Sequence, residues 1–285
     1  MAFKMESTLG KEGVNVKRKI TSRNFILGAV ITVFMLALIL LGFVWTPYDP
    51  EAMQGSLKLQ PPSLLHMFGT DQFGRDILSR VLSGAGSTLL IALGTILMGG
   101  IAGILVGALT GYFGGWLDEG LMRVNDAVAA FPSVLLALVI ITLLGPGTYK
   151  VMLALGIAFI PSFARIVRGE FLRLREADYV TSARLIGVST PRILFVHMLP
   201  NILPALLSAL AIGFNNAVLA EASMSYLGIG VQPPDASLGR MLSESQTYLA
   251  GGPWCAIFPG AFLVLLILGV GLLGEGILDQ FGGGR

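Results

Sequence analysis

Long apolar runs, separated by short polar or Pro/Gly-rich segments, dominate the hydropathy pattern of this chain. A helix needs about 20 apolar residues to cross a bilayer, because the hydrocarbon is about 30 Å thick and each residue adds about 1.5 Å. Six runs meet or approach this length: Phe25–Trp45, Thr88–Tyr112, Ala127–Leu144, Val151–Val167, Leu199–Tyr226 and Ala256–Leu273. The fourth run is short and contains Pro161, but it continues into a polar helix. The pattern predicts an all-α integral membrane protein with about six transmembrane helices.

The composition supports this class. Of the 285 residues, 54% are hydrophobic and 13% are charged, and the mean hydropathy is +0.78. So few charges would not cover the surface of a soluble domain of this length, which excludes an ordinary globular protein. The formal net charge of +2 gives no argument for a nucleic-acid partner. The single cysteine, Cys255, excludes an internal disulfide.

The distribution of Lys and Arg predicts the orientation, since cytoplasmic segments carry an excess of these residues. With the N-terminus inside, fourteen of the 19 fall on inner segments. Five fall on outer segments: Lys58, Arg75, Arg80, Lys150 and Arg240. This predicts cytoplasmic tails at 1–24 and 281–285 and an outer loop at 46–87. The first run is too long for a signal peptide and lacks a small-residue cleavage site, so it is predicted to remain as a span.

The loop at 168–198 is predicted to be ordered, as a helix, a stop and a second helix. Glu170–Arg175 continues the fourth span as a charged helix. Asp178 is predicted to cap a short helix at Tyr179–Ile186, and Gly187 is predicted to end it.

A further helix is predicted to begin after this stop. Thr190 is expected to cap it, with Pro191 at its first position, and Pro200 is expected to interrupt it. The short helix before the stop is predicted to present apolar positions beside polar ones: Val180, Ala183 and Ile186 beside Thr181 and Arg184. Such a surface suits either docking of a soluble partner or contact with lipid headgroups.

The sequence offers no catalytic constellation. Gly84–Thr88 is glycine-rich but lacks the lysine of a phosphate-binding loop. His66 and His197 fall on opposite sides of the membrane in the predicted topology, so they cannot share a metal with Cys255. No G-x-S-x-G or H-E-x-x-H motif occurs. The chain is therefore predicted not to be an enzyme and to hold no cofactor or metal.

Polar side chains within the predicted fifth span are candidates for a translocation path. They are Asn215, Asn216 and Glu221. Ionisable or strongly polar groups at membrane depth are functional candidates by default. The alternatives are hydrogen bonding between helices for the two asparagines and contact with headgroups or water for Glu221.

The loop is similar to the EAA-x3-G-x9-I-x-LP pattern of type I ABC importer permeases. Four positions match and three depart: Ala183, Gly187, Leu199 and Pro200 match, while Thr181, Ser182 and His197 depart. The His-x-Leu-Pro-Asn ending resembles the dipeptide/oligopeptide/nickel subfamily. Further blocks resemble its C-type permease: FGTDQFGRDILSR at 68–80, GGWLDEGLMRVNDAVAAFP at 114–132, ARIVRG at 164–169, AEASMSYLGIGVQPP at 220–234 and LGEGILD at 273–279.

The resemblance implies a MetI-like fold, with a permease core at 88–280. It also implies that the short helix is a coupling helix that seats in a cytoplasmic ATPase, which favours docking over lipid contact. The implied coupling residues are Asp178, Tyr179, Thr181, Ser182, Ala183, Arg184 and Gly187.

The partners implied by this resemblance are a homologous B-type permease, two cytoplasmic ATPase subunits that bind ATP and Mg, an extracytoplasmic substrate-binding protein and the lipid bilayer. The location implied is the cytoplasmic membrane of a bacterium or archaeon. Di- or oligopeptides are the expected solutes. A nickel or metal-chelate importer and a glutathione importer share the architecture and stay open, as does a stand-alone channel or membrane scaffold.

Overall fold

The computed structural model describes the backbone of residues 23–282 and the side chains of residues 23–279. Most of the predicted N-terminal tail and the last three residues lie outside this range. Within the described range, every regular element is a helix. The helices are α1 (Arg23–Val44), α2 (Ile77–Phe113), α3 (Gly115–Ala129), α4 (Ser133–Leu144), α5 (Thr148–Arg175), α6 (Asp178–Leu185), α7 (Thr190–Arg192), α8 (Leu203–Tyr226), α9 (Leu238–Ser245) and α10 (Trp254–Gly282).

Five helical segments are long and apolar enough to cross a membrane, and the bent pair α3–α4 is the sixth candidate. The all-helical prediction with about six spans is therefore confirmed. The third run is predicted to form one continuous helix. In the structure it is divided between α3 and α4, which meet at 86°. Pro132 explains the bend, since proline disfavours a helical conformation in the residue before it. The 12 residues of α4 extend only about 18 Å.

The second span begins earlier than its apolar run. Asp76 accepts a hydrogen bond from the Ser79 N–H at 2.8 Å and so caps α2. The first turns of α2 contain small and polar residues, which resemble a loop in sequence, but they are buried between neighbouring elements. A Cβ at Gly84 would touch Ala236 and Ser237 at 3.3 Å, so the chain before α9 packs directly against this helix.

The largest helix–helix interface joins α2 to α5, which run parallel because α3 and α4 return the chain between them. A stripe of glycines at every fourth position of α2 forms this interface: Gly99, Gly103, Gly107 and Gly111. A Cβ at Gly103 would lie 2.5 Å from the Phe163 Cβ, and one at Gly107 would lie 2.5 Å from the Ala164 carbonyl oxygen. The backbones therefore touch, as small residues allow in membrane helices.

Two hydrophobic clusters fill the bundle. The larger cluster joins α1, α2, α5, α8 and α10. The smaller cluster lies at one end, where Phe171 of α5, Val180 of α6 and Met198 are all buried. Residues 178–187, which comprise α6 and the turn after it, lie at this end of the bundle, and we call them the elbow.

The opposite end contains a cluster of buried ion pairs. Arg75 donates to Asp71 at 2.6 Å and to Glu244 at 2.9 Å, and the buried Arg80 lies within 4 Å of both carboxylates. Arg240 donates to Glu244 at 3.0 Å. Charges this buried need partners. Three of the five cations that the sequence assigns to the outer side, Arg75, Arg80 and Arg240, are thus neutralised. Their ion pairs with Asp71 and Glu244 attach the 46–76 segment to α9.

The glycine stripe gives a first prediction. Gly103→Ala is expected to destabilise the protein by about 1–3 kcal/mol, because its methyl group overlaps α5. Gly100→Ala on the same helix is the control, since its Cβ would meet only Leu210 at 3.5 Å. The measurement is the thermal unfolding midpoint of both variants in detergent. Equal midpoints would show that α2 and α5 separate without cost.

Candidate coupling site

Helix α6 is attached to the bundle by its apolar face. Val180 and Ala183 are buried against the smaller hydrophobic cluster. The prediction that these two residues form an apolar docking surface is therefore wrong, although Ala183 keeps its expected packing role. An eight-residue helix offers too little periodicity to tell which apolar face is covered.

The two ends of α6 differ in how well the sequence predicted them. Asp178 is the first helical residue and caps nothing with its side chain, because the N-cap is Ala177. Gly187 ends the helix as predicted, with φ +80°. The Gly187 N–H donates to the Arg184 carbonyl oxygen at 3.0 Å, and the Val188 N–H donates to the Ala183 carbonyl oxygen at 3.0 Å. This is a Schellman motif, which fixes the turn.

The chain continues from this stop as one irregular helix. Ser189, and not Thr190, is the N-cap of α7, so the predicted cap is wrong by one residue. Ile193–Met198 is a π-helix and Leu199–Ile202 is a 3₁₀-helix, after which α8 begins. Pro200 lacks an N–H, and the backbone accommodates it by changing the helix type without separating α7 from α8.

The exposed surface of the elbow is apolar at its tip and polar along its side. Leu185 is 83% exposed and Ile186 is 80% exposed, although both are large hydrophobic residues. Beside them the side chains of Thr181, Ser182 and Arg184 are exposed. Large apolar groups presented by a fixed turn beside a cation are typical of an interaction surface.

Tyr179 lies on the same helix and is exposed. Burial raises the pKa of its hydroxyl, while Arg173 and a hydrogen bond with Asn201 act in the opposite direction. The hydroxyl is therefore neutral near pH 7.

One contact joins the elbow to the glycine-rich helix. The Arg184 Nε donates to the Tyr112 hydroxyl at 3.2 Å, and its guanidinium carbon lies 4.6 Å from the centre of the same ring. Tyr112 is near the end of α2 and was not predicted as a site residue. Its position as an aromatic residue at the end of an apolar run was the available signal, but aromatics are common there.

A concave surface lies along the middle of the bundle. Its cavity has a volume of about 230 Å³ and is lined by Ser133, Val134, Ala158, Phe159, Ser162, Asn216, Leu219, Ala220 and Ser223. Asn216 also lines the neighbouring smaller cavity. The serines were missed from the sequence. The signal for Ser223 was its spacing of seven residues from Asn216, which places both on one face of α8.

The other two predicted path residues lie behind this surface. Asn215 turns toward α10, where a Cβ at Gly271 would lie 3.0 Å from its amide nitrogen. Glu221 is completely buried, and the Ser225 hydroxyl donates to its carboxylate at 2.7 Å. The other carboxylate oxygen, Oε2, is buried without a hydrogen-bond partner among the described residues. Among the three candidates, only Asn216 faces the cavity.

The described part of the chain contains no group of three or more His, Cys, Asp or Glu residues that could hold a metal. His66 instead contacts Asp76, with 2.9 Å between Nδ1 and a carboxylate oxygen.

The family described as "Binding-protein-dependent transport system inner membrane component" matches residues 103–282. The match covers more than half of the chain and includes α5, the elbow, α8 and α10. The chain therefore belongs to this family of membrane permeases. It is the multi-pass permease component of an ABC importer complex in the inner membrane, and ATP hydrolysis belongs to a separate subunit.

Relatives agree with this assignment. A Brucella suis protein, provisionally described as a peptide transport system permease protein, is 41% identical over 95% of this chain and 92% of its own. The dipeptide transport system permease protein DppC of Alkalihalophilus pseudofirmus is 35% identical over 89% of this chain and 84% of its own. The glutathione transport system permease protein GsiD of Escherichia coli is 38% identical over 92% and 87%.

The fold also matches a solved structure, that of the MetNI methionine ABC transporter in inward-facing conformations. The TM-score is 0.60 at 20% identity, over 70% of this chain and 95% of that chain. This likeness confirms the predicted MetI-like fold.

The Tyr112–Arg184 contact gives a second prediction. In a double-mutant cycle, Tyr112→Leu and Arg184→Met are expected to show a coupling energy of about 0.5–1 kcal/mol in the free energy of unfolding. The control cycle pairs Tyr112→Leu with Arg173→Met, because Arg173 contacts Glu170 instead. Additive effects in both cycles would show that the contact contributes nothing.

Proposed function

We propose that the elbow at residues 178–187 is the coupling helix, which seats in a cleft of a cytoplasmic ATPase subunit. The observation that carries this proposal is the exposed tip formed by Leu185 and Ile186. Burying two large apolar side chains gives a soluble partner substantial binding energy. Arg184, Thr181 and Ser182 supply polar contacts around the tip, while Ala183 and Gly187 hold its shape. Asp178 and Tyr179 complete the surface at the start of the helix.

The attachment of α6 supports transmission of movement into the bundle. Only Glu176 and Ala177 separate α5 from α6, so the two helices cannot move far apart. Phe171, Val180 and Met198 share one cluster. A push on the elbow therefore acts on the ends of α2, α5 and α8 together, as in rigid-body switching of packed elements.

The concave surface around Asn216 is half of the translocation path in this proposal. It is open on one side, so a second, homologous permease of the B type is required to close it. Asn215 and Glu221 lie behind the wall, Asn215 against α10 and Glu221 fully buried in the bundle. The complete importer then contains this chain, its mate, two ATPase subunits that bind ATP and Mg, and an extracytoplasmic substrate-binding protein.

The solute proposed is a di- or oligopeptide. Two relatives are described as peptide or dipeptide permeases. The cavity wall supports this choice, because its polar groups are Ser hydroxyls and the Asn216 amide, which suit the neutral backbone of a short peptide. Glutathione is a second candidate, since GsiD is a relative and this solute is itself a small peptide. Ligand binding by the cognate substrate-binding protein tests the choice, and capture of glutathione in preference to dipeptides would replace it.

The proposed location is the cytoplasmic membrane of a bacterium or archaeon, with both termini and the elbow in the cytoplasm. The distribution of Lys and Arg supports this orientation. The layout proposed has a cytoplasmic tail at 1–24, a first span at 25–45, an outer segment at 46–87, a permease core at 88–280 and a short tail at 281–285. Labelling of cysteines placed at either terminus with a membrane-impermeant reagent tests the orientation.

A third prediction tests coupling. The double variant Leu185→Ser/Ile186→Ser is expected to fold normally but to bind the ATPase subunits about 10- to 100-fold more weakly, because it removes the apolar tip. The measurements are co-purification of the ATPase and ATP-dependent peptide uptake in proteoliposomes. Leu249→Ser, an exposed leucine at the other end of the bundle, is the matched control. Normal co-purification and uptake would overturn the coupling role of the elbow.

A fourth prediction tests the path. Asn216→Phe is expected to fill the cavity and lower uptake about tenfold or more, a barrier increase of ~1.4 kcal/mol, without loss of ATPase binding. The control is Leu207→Phe on the same helix, which does not line the cavity. Both variants are compared by peptide uptake in proteoliposomes. Unchanged uptake in Asn216→Phe would place the path elsewhere.

A further inference from the structure

An exposed apolar turn lies in the segment between α1 and α2. Leu64 is 100% exposed, Leu65 is 75% exposed and Met67 is 65% exposed. Local hydrogen bonds fix this turn: the Ser63 N–H donates to the His66 carbonyl oxygen at 2.9 Å, and the His66 N–H donates to the Ser63 hydroxyl at 3.1 Å. Three neighbouring apolar side chains held in this way are unfavourable in water, so the turn needs a partner.

The turn is fixed beside the end of the first span. The Tyr48 hydroxyl donates to the Leu65 carbonyl oxygen at 2.8 Å, and the Tyr48 ring lies 4.7 Å from the His66 ring. Tyr48 follows the last residue of α1, Val44, by four positions. The apolar turn is therefore adjacent to the point where α1 leaves the membrane.

The height of the turn relative to the bilayer follows from contacts between α1 and α2. A Cβ at Gly42 would meet the Leu82 carbonyl oxygen at 2.6 Å, so the last turn of α1 is level with Leu82. The Tyr48 N–H donates to the Ser79 hydroxyl at 3.0 Å. Ser79 precedes Leu82 by three residues and is therefore about 4.5 Å closer to the start of α2. The 22 residues of α1 extend about 33 Å and so cover the hydrocarbon, which places the last turn of α1 at its edge. The headgroup layer adds about 5–7 Å to each side, so Tyr48 is at headgroup height.

We propose that the turn at residues 63–67 is a membrane anchor, whose side chains Leu64, Leu65 and Met67 insert into the bilayer interface beside α1. The apolar surface continues from the exposed residues at the end of α1 across Tyr48 to the turn. Lipid therefore covers it without any further subunit. The ion pairs between Asp71, Arg75 and Glu244 connect this segment to α9, so the anchor also holds that whole end of the bundle at a fixed depth.

Fluorescence of a labelled importer tests the anchor. Cys255→Ala removes the native cysteine, and Leu64→Cys is labelled with an environment-sensitive fluorophore in the assembled importer. Val44→Cys and Glu51→Cys are the lipid-facing and polar references. The importer is placed in nanodiscs of phosphatidylcholine and phosphatidylglycerol that contain a lipid spin-labelled near its headgroup.

The expected result is blue-shifted emission at residue 64 and quenching by the spin-labelled lipid comparable to that at residue 44, whether or not the substrate-binding protein is present. Residue 51 is expected to be quenched by iodide in the buffer instead. Iodide quenching at residue 64 without lipid quenching would overturn the anchor. Shielding of residue 64 only after the substrate-binding protein is added would also overturn it and would assign the surface to that protein.

Discussion

The backbone contact between α2 and α5 is the constraint on which the rest of the structure depends. Because glycines on α2 meet residues such as Phe163 and Ala164 without intervening side chains, the two helices form one unit. Lipid is as apolar as leucine, so ordinary hydrophobic burial does not hold helices together inside a bilayer, whereas close van der Waals packing does. The elbow is built on the end of this unit and the cavity on its side. Both sites therefore share one rigid support.

The positions of the membrane spans were predictable because they depend on local hydropathy. The residues at which the spans begin and end were less predictable. Helix α2 starts at Ile77, where buried serines and glycines resemble a loop, and the third run is bent before Pro132. The elbow was predictable in outline, since Gly187 marks a left-handed turn. Its caps were wrong because Asp178 and Thr190 are good cap residues that the backbone does not use as caps.

The contacts that give the sites their shape were not predictable, because they join residues far apart in the sequence. Tyr112 and Arg184 are separated by 72 positions, and Arg75 and Glu244 by 169. Period and composition report which residues are apolar, but not which helix covers them. The fully buried Glu221 shows the same limit. Its residue type and depth indicated a path, whereas the structure buries it completely, with Ser225 of the same helix as its hydrogen-bond donor.

The length of α2 has a mechanical consequence. Its 37 residues form an unbroken rod of about 55 Å, almost twice the thickness of the hydrocarbon. If such a rod pivots near its middle by ~10°, its ends swing by ~5 Å in opposite directions. Opening on one side of the bilayer and closure on the other are then a single rigid-body motion of α2, and no separate conformational change has to connect them.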